Sequence, residues 1–421
     1  MSLSFARLPS MPFIATKPLI RIARLTLTLL LASSAISNAF AQALEEGASD
    51  FAVEKLEMQW SPGEQYNGLK GTMDYANTDL YLPGNGKLPI KIVRRFGQRR
   101  VGGGFNPLQT FGYMHMDTPS VHYRIAQGES LLCDNEGRTN STSTLASPMT
   151  FRDGDTVKQF FGGGGSNTFV APDGWRISCV PSTGTLGYPG QYFGSLLVQR
   201  PDGVYYEMKR VWPGVGSAQI AAYSVSKMSD PYGNTLTYHY STIPPSNGIQ
   251  YGVIRLDSIA ASDGRRVSIS YNRVGVNSSS NNNSYQSYRI SSIQSNSAEN
   301  PVKLTYEYSS NANTITVTEN ETATSSVSMS GGKINRITYP TGGQVNYSYQ
   351  DVIESAGIKY ETLKTRTTSD GATYDFSYTD NGNDTFTRHI RTPSAWLDET
   401  YGEPKEPGRN GTVTNHVIDS G

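Results

Sequence analysis

The residues best able to do chemistry in this chain are five histidines, two cysteines and two short acidic clusters. His115, His122, His239, His389 and His416 form neither an H-E-x-x-H motif nor a pair at x3 spacing, which excludes a helix-borne zinc site of the metalloprotease type. His239 falls on the polar side of an alternating run, where an exposed sheet residue is expected. Gly162, Gly163, Gly164 and Gly165 are followed by Ser166-Asn167, where a phosphate-binding loop requires Lys-Ser/Thr, so the glycines read as a turn. No G-x-S-x-G elbow is present. Asp153-Gly154-Asp155 and Asp380-Asn381-Gly382-Asn383-Asp384 offer oxygen ligands around a glycine, but neither has the twelve-residue loop with a closing Glu that makes a calcium site. Asn/Asp turns are the competing reading of both. The sequence therefore assigns no catalytic, cofactor-binding or metal-binding residue, and a non-enzymatic protein is expected.

The chain that carries these residues has 421 of them, 36% hydrophobic and 10% aromatic, enough to bury a substantial core. Charged residues make up 17%, below the roughly 25% usual in soluble domains. Tyr (26), Gly (42) and Pro (22) take up much of the difference and favour strands and turns. Lys+Arg and Asp+Glu both total 36, so no basic excess points to nucleic acid. Residues 1–41 stand apart. Arg7, Lys17, Arg21 and Arg24 precede an apolar run over 25–32 and an Ala39-Phe40-Ala41 site, the order of a secretory signal cleaved before Gln42. The apolar run is far shorter than the ~20 residues of a spanning helix. Export places Cys133 and Cys179, 46 residues apart, in an oxidising compartment. With no Cys or His at metal-ligand spacing from either, a disulfide is expected, the alternative being two buried thiols too far apart to bridge.

The remaining chain reads as strands punctuated by Gly, Pro, Asn and Asp, with one short helical candidate at 43–58 and a wholly Ser/Asn stretch at 277–284 expected to be an exposed insertion. Aligning it to itself reveals a repeat. A glycine is followed at plus three, plus five and plus seven by apolar or aromatic residues, the last always tyrosine. Gly233 leads to Leu236, Tyr238 and Tyr240, and Gly264 to Val267, Ile269 and Tyr271. Gly342 leads to Val345, Tyr347 and Tyr349, and Gly371 to Tyr374, Phe376 and Tyr378. A further copy, Leu304, Tyr306 and Tyr308, has Pro301 in place of glycine. Upstream, minus eight and minus five are apolar in three copies (Val225 and Met228, Leu256 and Ile259, Ile334 and Ile337). Ile290 and Ile293 match after a three-residue insertion, and Arg366 breaks the pattern in the last copy. Each unit is a β-hairpin, and single hairpins bury their apolar faces only by stacking.

These units, the first preceded by Asp230-Pro231-Tyr232, resemble Rhs or YD repeats. Residues 79–96, DLYLPGNGKLPIKIVRRF, resemble the strand, Pro-Gly-x-Gly turn and strand that precede such repeats, and Phe111-Gly112-Tyr113 the aromatic-glycine motif after them. The resemblance covers about residues 73–380 and departs from the family in its spacings of 31, 78 and 29 and in lacking terminal Tyr-Asp pairs. It implies an all-β protein of stacked hairpin repeats forming an extended, curved Rhs-like sheet. The expected organisation is a signal peptide at 1–41, a β-rich N-terminal region at 42–215 and divergent, incomplete repeats at 216–421. The implied function is that of a secreted, periplasmic or cell-surface shell in toxin encapsulation and intercellular competition. Its implied partners are further repeats and a toxin, encoded in the same chain or separately. The rival reading is a carbohydrate- or ligand-binding module that presents tyrosine rings on an exposed sheet.

Overall fold

In a computed structural model, residues 61–419 are described apart from short gaps and the longer segments 97–110, 126–131, 139–147, 161–167, 187–193, 213–218, 244–252, 275–286 and 403–412. Residues 1–41, read above as a signal segment, the helical candidate, Gly112-Tyr113, the Ser/Asn stretch, the 162–165 glycines and residues 381–384 lie outside the described residues. All regular structure among the described residues is β. A small antiparallel sheet comprises β1 (Glu64–Asn67), β2 (Thr72–Leu82), β3 (Ile90–Phe96) and β4 (His115–Met116). Residues 79–96 thus form the expected strand, turn and strand.

The second sheet takes up every other strand, and its order returns on itself. It begins with β5 (Ser120–Ile125), β6 (Met149–Asp153), β7 (Thr156–Phe160), β8 (Thr168–Val170), β9 (Arg176–Val180), β10 (Ser195–Gln199) and β11 (Tyr205–Trp212). The repeats supply β12 (Gln219–Ser229), β13 (Thr235–Ile243), β14 (Val253–Ala261), β15 (Arg266–Val274), β16 (Ser287–Ser295) and β17 (Lys303–Tyr308). They continue through β18 (Thr314–Glu319), β19 (Ala323–Ser330), β20 (Lys333–Thr338), β21 (Gln344–Ile353), β22 (Lys359–Thr368) and β23 (Thr373–Asp380). The last strands are β24 (Thr385–Arg391), β25 (Trp396–Gly402) and β26 (Val413–Asp419). From β8 onward each strand pairs antiparallel with the next.

One turn generates the repeat. At Gly264 the Ala261 N–H donates to Arg265 O (2.8 Å) and the Gly264 N–H to Ala261 O (3.1 Å). The same pair of bonds closes the turns at Gly233, Gly342 and Gly371, and φ is between +84° and +91° at all four glycines. A side chain at such a φ is strained, so glycine is required. The same turn also occurs before residue 216, at Gly174 (φ +85°) and Gly203 (φ +84°), each followed at plus three by a buried Ile177 or Tyr206. The 78-residue spacing between Gly264 and Gly342 has a structural origin as well. It holds the Pro301 copy plus an extra pairing, β18 with β19, whose turn places Asn320 and Glu321 at positive φ.

Beyond the turn, ladders of only three residue pairs join β14 to β15, β16 to β17 and β20 to β21, after which the partners splay apart. A β-bulge recurs at each splay. Ser226, Asp257, Ser291, Asn335 and Lys364 are skipped in their ladders, each one residue after the apolar minus-eight position. A bulge leaves backbone groups out of the ladder. The repeat tyrosine supplies the missing donor: Tyr240, Tyr271, Tyr308 and Tyr349 hydroxyls donate to the carbonyls of Val225, Leu256, Ile290 and Ile334 at 2.7–2.8 Å. For these four the shared strand position is therefore a shared hydrogen-bonding role, whereas the Tyr378 hydroxyl lies 3.2 Å from that of Tyr66. Below each tyrosine the plus-three residues Leu236, Val267, Leu304 and Val345 are buried.

Cys133 and Cys179 are bonded, with Cα atoms 5.6 Å apart, tying the segment after β5 to β9. The tyrosine role makes a direct prediction. Tyr271→Phe strands the Leu256 carbonyl without its donor and should cost about 1 to 2 kcal/mol, while Tyr271→Ala also removes the ring and should cost about 3 to 5 kcal/mol. Urea unfolding of the two variants should show this order, and equal midpoints for wild type and Tyr271→Phe would remove the hydroxyl from the account.

Candidate functional site

The β1–β4 sheet sits against the apolar face of the repeats, and the contact between them is the most highly charged buried region among the described residues. On β2 and β3, Asp79 receives two hydrogen bonds from Arg94, Nε at 3.0 Å and Nη2 at 3.2 Å, with both side chains at most 1% exposed. Asn77 donates to the same carboxylate (2.7 Å). The repeat contributes Tyr306, at plus five in β17, whose hydroxyl donates to Asp79 Oδ2 at 2.9 Å. Its ring packs on Phe111, with centroids 5.0 Å apart. Burial, and next the Asp79 charge, push the Tyr306 phenol well above its ordinary range. For Arg94 burial opposes the charge, but Asp79 more than offsets it and the guanidinium stays protonated.

A second cluster repeats this chemistry at the next tyrosine copy. Glu64 of β1 receives Arg366 Nε (3.1 Å) and Nη2 (2.7 Å) and the Tyr347 hydroxyl. Arg366 also donates to Ser61 Oγ (3.1 Å) and lies over the Tyr374 ring at 4.9 Å. Tyr347, again at plus five, is pushed up by burial and by the Glu64 charge. Arg366, the residue that breaks the apolar minus-five pattern, is thus the one that clasps the inner sheet. In the last copy Tyr66 packs on Phe376 (5.0 Å), its hydroxyl 3.2 Å from that of Tyr378, with Arg388 over its ring at 5.2 Å.

The repeat turns grip the Pro-Gly-x-Gly loop from outside this contact. Arg265, beside the Gly264 turn, donates to Leu82 O (2.8 Å) and Leu88 O (3.2 Å). Asp230 of the Asp-Pro-Tyr-Gly turn accepts from the Tyr232 and Asn234 N–H groups, both at 2.9 Å, and a Cβ on Gly86 would collide with it. Asp230 is thus a turn residue. Tyr339, in the Gly342 turn, donates to Pro62 O (3.3 Å).

The other sequence candidates do not converge. Asp153 is held by the Tyr206 hydroxyl (2.9 Å), and burial raises its carboxyl, whereas Asp155 points to Arg95 (2.8 Å). His239 is exposed. His115 lies 3.5 Å from Asp117, and His389 stands between Thr379 (3.1 Å) and Asp398 (2.6 Å) on the polar sheet face. No three metal-ligating side chains cluster among the described residues. His122 is pushed down to about 4 by burial and then by the Arg152 charge. What sequence reasoning missed is the docking role of Glu64, Asp79, Arg94 and Arg366, and the one signal for it was the cation at a position otherwise apolar.

Glu64→Gln leaves Arg366 buried without its countercharge and should cost about 3 to 5 kcal/mol. Replacing both by Met should restore most of that, and thermal denaturation of the three proteins tests it. For His122 the folded pKa lies below the unfolded 6.5, so its contribution is whole above pH 6.5 and is lost as pH falls toward 4. His122→Phe should flatten the acid limb of stability between those values, on the order of 3 kcal/mol from the size of the shift. An unchanged limb in urea titrations would refute this.

No protein-family model matches the sequence, and no curated protein matches it significantly. Among solved structures, the chain is similar to a component of the Photorhabdus luminescens Tc holotoxin pore at 11% identity and a TM-score of 0.36, covering 88% of this chain and 20% of that one. It is also similar to the N-terminal domain of the effector SpvB from Salmonella typhimurium at 12% identity and a TM-score of 0.27, covering 69% and 98%. A porin-like protein from Bacteroides uniformis aligns at 10% identity and a TM-score of 0.21, covering 74% and 98%. The chain spans about a fifth of the length of the Tc toxin chain it matches.

Proposed function

We propose that this chain is an exported segment of an Rhs-like β-repeat shell that holds polypeptide on its inner face, in the service of toxin encapsulation or delivery between cells. The observation that carries this reading is that the repeat sheet already wraps a folded piece of polypeptide. Six residues spaced from the β12–β13 turn to β23 reach the β1–β4 sheet or its β2–β3 loop: Asp230, Arg265, Tyr306, Tyr347, Arg366 and Tyr378. The grip is made by plus-five tyrosines and buried arginines, and these groups suit protein backbone and carboxylates. Further repeats, in this chain or another, and a toxin are the partners such a shell would take.

Sugar binding by the repeat tyrosines fits the geometry less well. Four of their hydroxyls are committed to bulge carbonyls, and cations cover three of the ring faces a sugar would stack upon. The deciding experiment is native isolation of the exported protein from its producing cell, with mass spectrometry of what co-elutes. The expected result is a second polypeptide, or a longer product, that resists trypsin while associated and is cut once the complex is dissociated. A lone chain that is retained on immobilised glycans would replace the shell reading with the binding-module one.

A further inference from the structure

The five repeat forks differ at minus nine, and that difference follows what occupies the fork. In three copies the residue is a cation lying over the repeat tyrosine: Arg255 over Tyr271 (5.4 Å), Arg289 over Tyr308 (5.3 Å) and Lys333 over Tyr349 (5.4 Å). In the other two it is a small hydroxyl residue, Ser224 or Thr362, and both are buried. These two forks are threaded by a segment from elsewhere in the chain. The Val225 N–H donates to Pro119 O (3.1 Å), with Ser224 paired to Ser120 at the start of β5. The Leu363 N–H donates to Gly71 O (2.8 Å) at the start of β2. Among the described hydrogen bonds, no such strap reaches the corresponding Leu256, Ile290 or Ile334 N–H groups.

We infer that the minus-nine residue decides which forks of this sheet admit an extended backbone strap: Ser or Thr opens the fork and a stacked cation closes it. The physical reason is space. At the threaded β22 fork, a Cβ on Gly71 would lie 3.1 Å from Thr362 Cγ2 and would collide with the Tyr378 hydroxyl, so strap, threonine and tyrosine already fill the fork. Gly71 meets this with no side chain and a φ of +62°. An arginine or lysine at 362, laid over Tyr378 as Arg255 lies over Tyr271, would take the volume that Gly71 occupies. At the β22 fork the strap adds one backbone hydrogen bond to an edge the bulge has opened, and at the β12 fork it runs on into the six-pair β5 ladder, both being strand addition. Ser224 and Thr362 are therefore specificity residues for what enters the sheet, and an extended segment is the ligand class that a fork with a small hydroxyl at minus nine will take.

The test is hydrogen exchange on the full chain, read at the strap-bonded amides. Thr362→Lys should speed exchange at Leu363 on the order of tenfold or more while leaving the Arg366–Tyr374 ladder protected. Thr362→Ser should leave Leu363 as in wild type. Ser224→Lys should do the same to Val225 at the other fork, which covers the case in which Thr362→Lys does not fold. Protection of Leu363 or Val225 retained in a folded Lys variant would overturn the inference. Collapse of both Lys variants would also overturn it, because among the described residues three forks of this sheet show no strap.

Discussion

The architecture rests on a hydrogen bond from a tyrosine hydroxyl to a backbone carbonyl beside a β-bulge. A meander of hairpins closed by three-residue glycine turns is held tightly at the turn, but its strands part after three pairs. Each parting leaves polar backbone facing a gap, and an unmet buried carbonyl is costly. Tyrosine meets it because the ring is long enough to cross the gap and apolar enough to fill it, with a donor at its tip. Phenylalanine would fill without bonding, and serine would bond without filling.

That constraint frees the plus-five position for another use. With plus three committed to the core and plus seven to the fork, plus five faces the β1–β4 sheet, and there Tyr306 and Tyr347 donate to Asp79 and Glu64. The two carboxylates carry bidentate arginines, one from the inner sheet itself and one from the repeat. Buried ion pairs add little net stability but are costly to break. The Arg366–Glu64 pair crosses between the two, and together with the Tyr306 and Tyr347 hydrogen bonds it fixes the small sheet in one register against the repeats, where an apolar face alone would permit sliding. The disulfide between Cys133 and Cys179 acts at the other end of the same problem, fastening the segment that follows β5 to the strand order.

Several features trace directly to local chemistry in the sequence. Glycine at the turns is legible because only glycine tolerates φ near +85°, and the alternation after it is legible because strand side chains have a period of two. The equivalence of Tyr240, Tyr271, Tyr308 and Tyr349 and the residue 79–96 hairpin were legible in spacing, and a bond between the two cysteines was expected there with unbridged thiols as the alternative. Arg366 was visible as a flaw in the apolar pattern, without its meaning.

Other features depend on contacts between residues hundreds of positions apart. Glu64 meets Arg366 and Asp79 meets Tyr306 only after the sheet has curved, and no local propensity encodes that approach. The bulges at minus seven are invisible in sequence because Ser226, Asp257, Ser291, Asn335 and Lys364 share neither size nor charge; what places them is the splay of the strands. The extra β18–β19 pairing escaped the self-alignment because its turn uses Asn320 and Glu321 in place of glycine. The composition and the period determined that this chain would build tyrosine-capped hairpins. Only the tertiary structure decided which polypeptide those hairpins close around, because that choice is made by buried charges whose partners the chain brings together last.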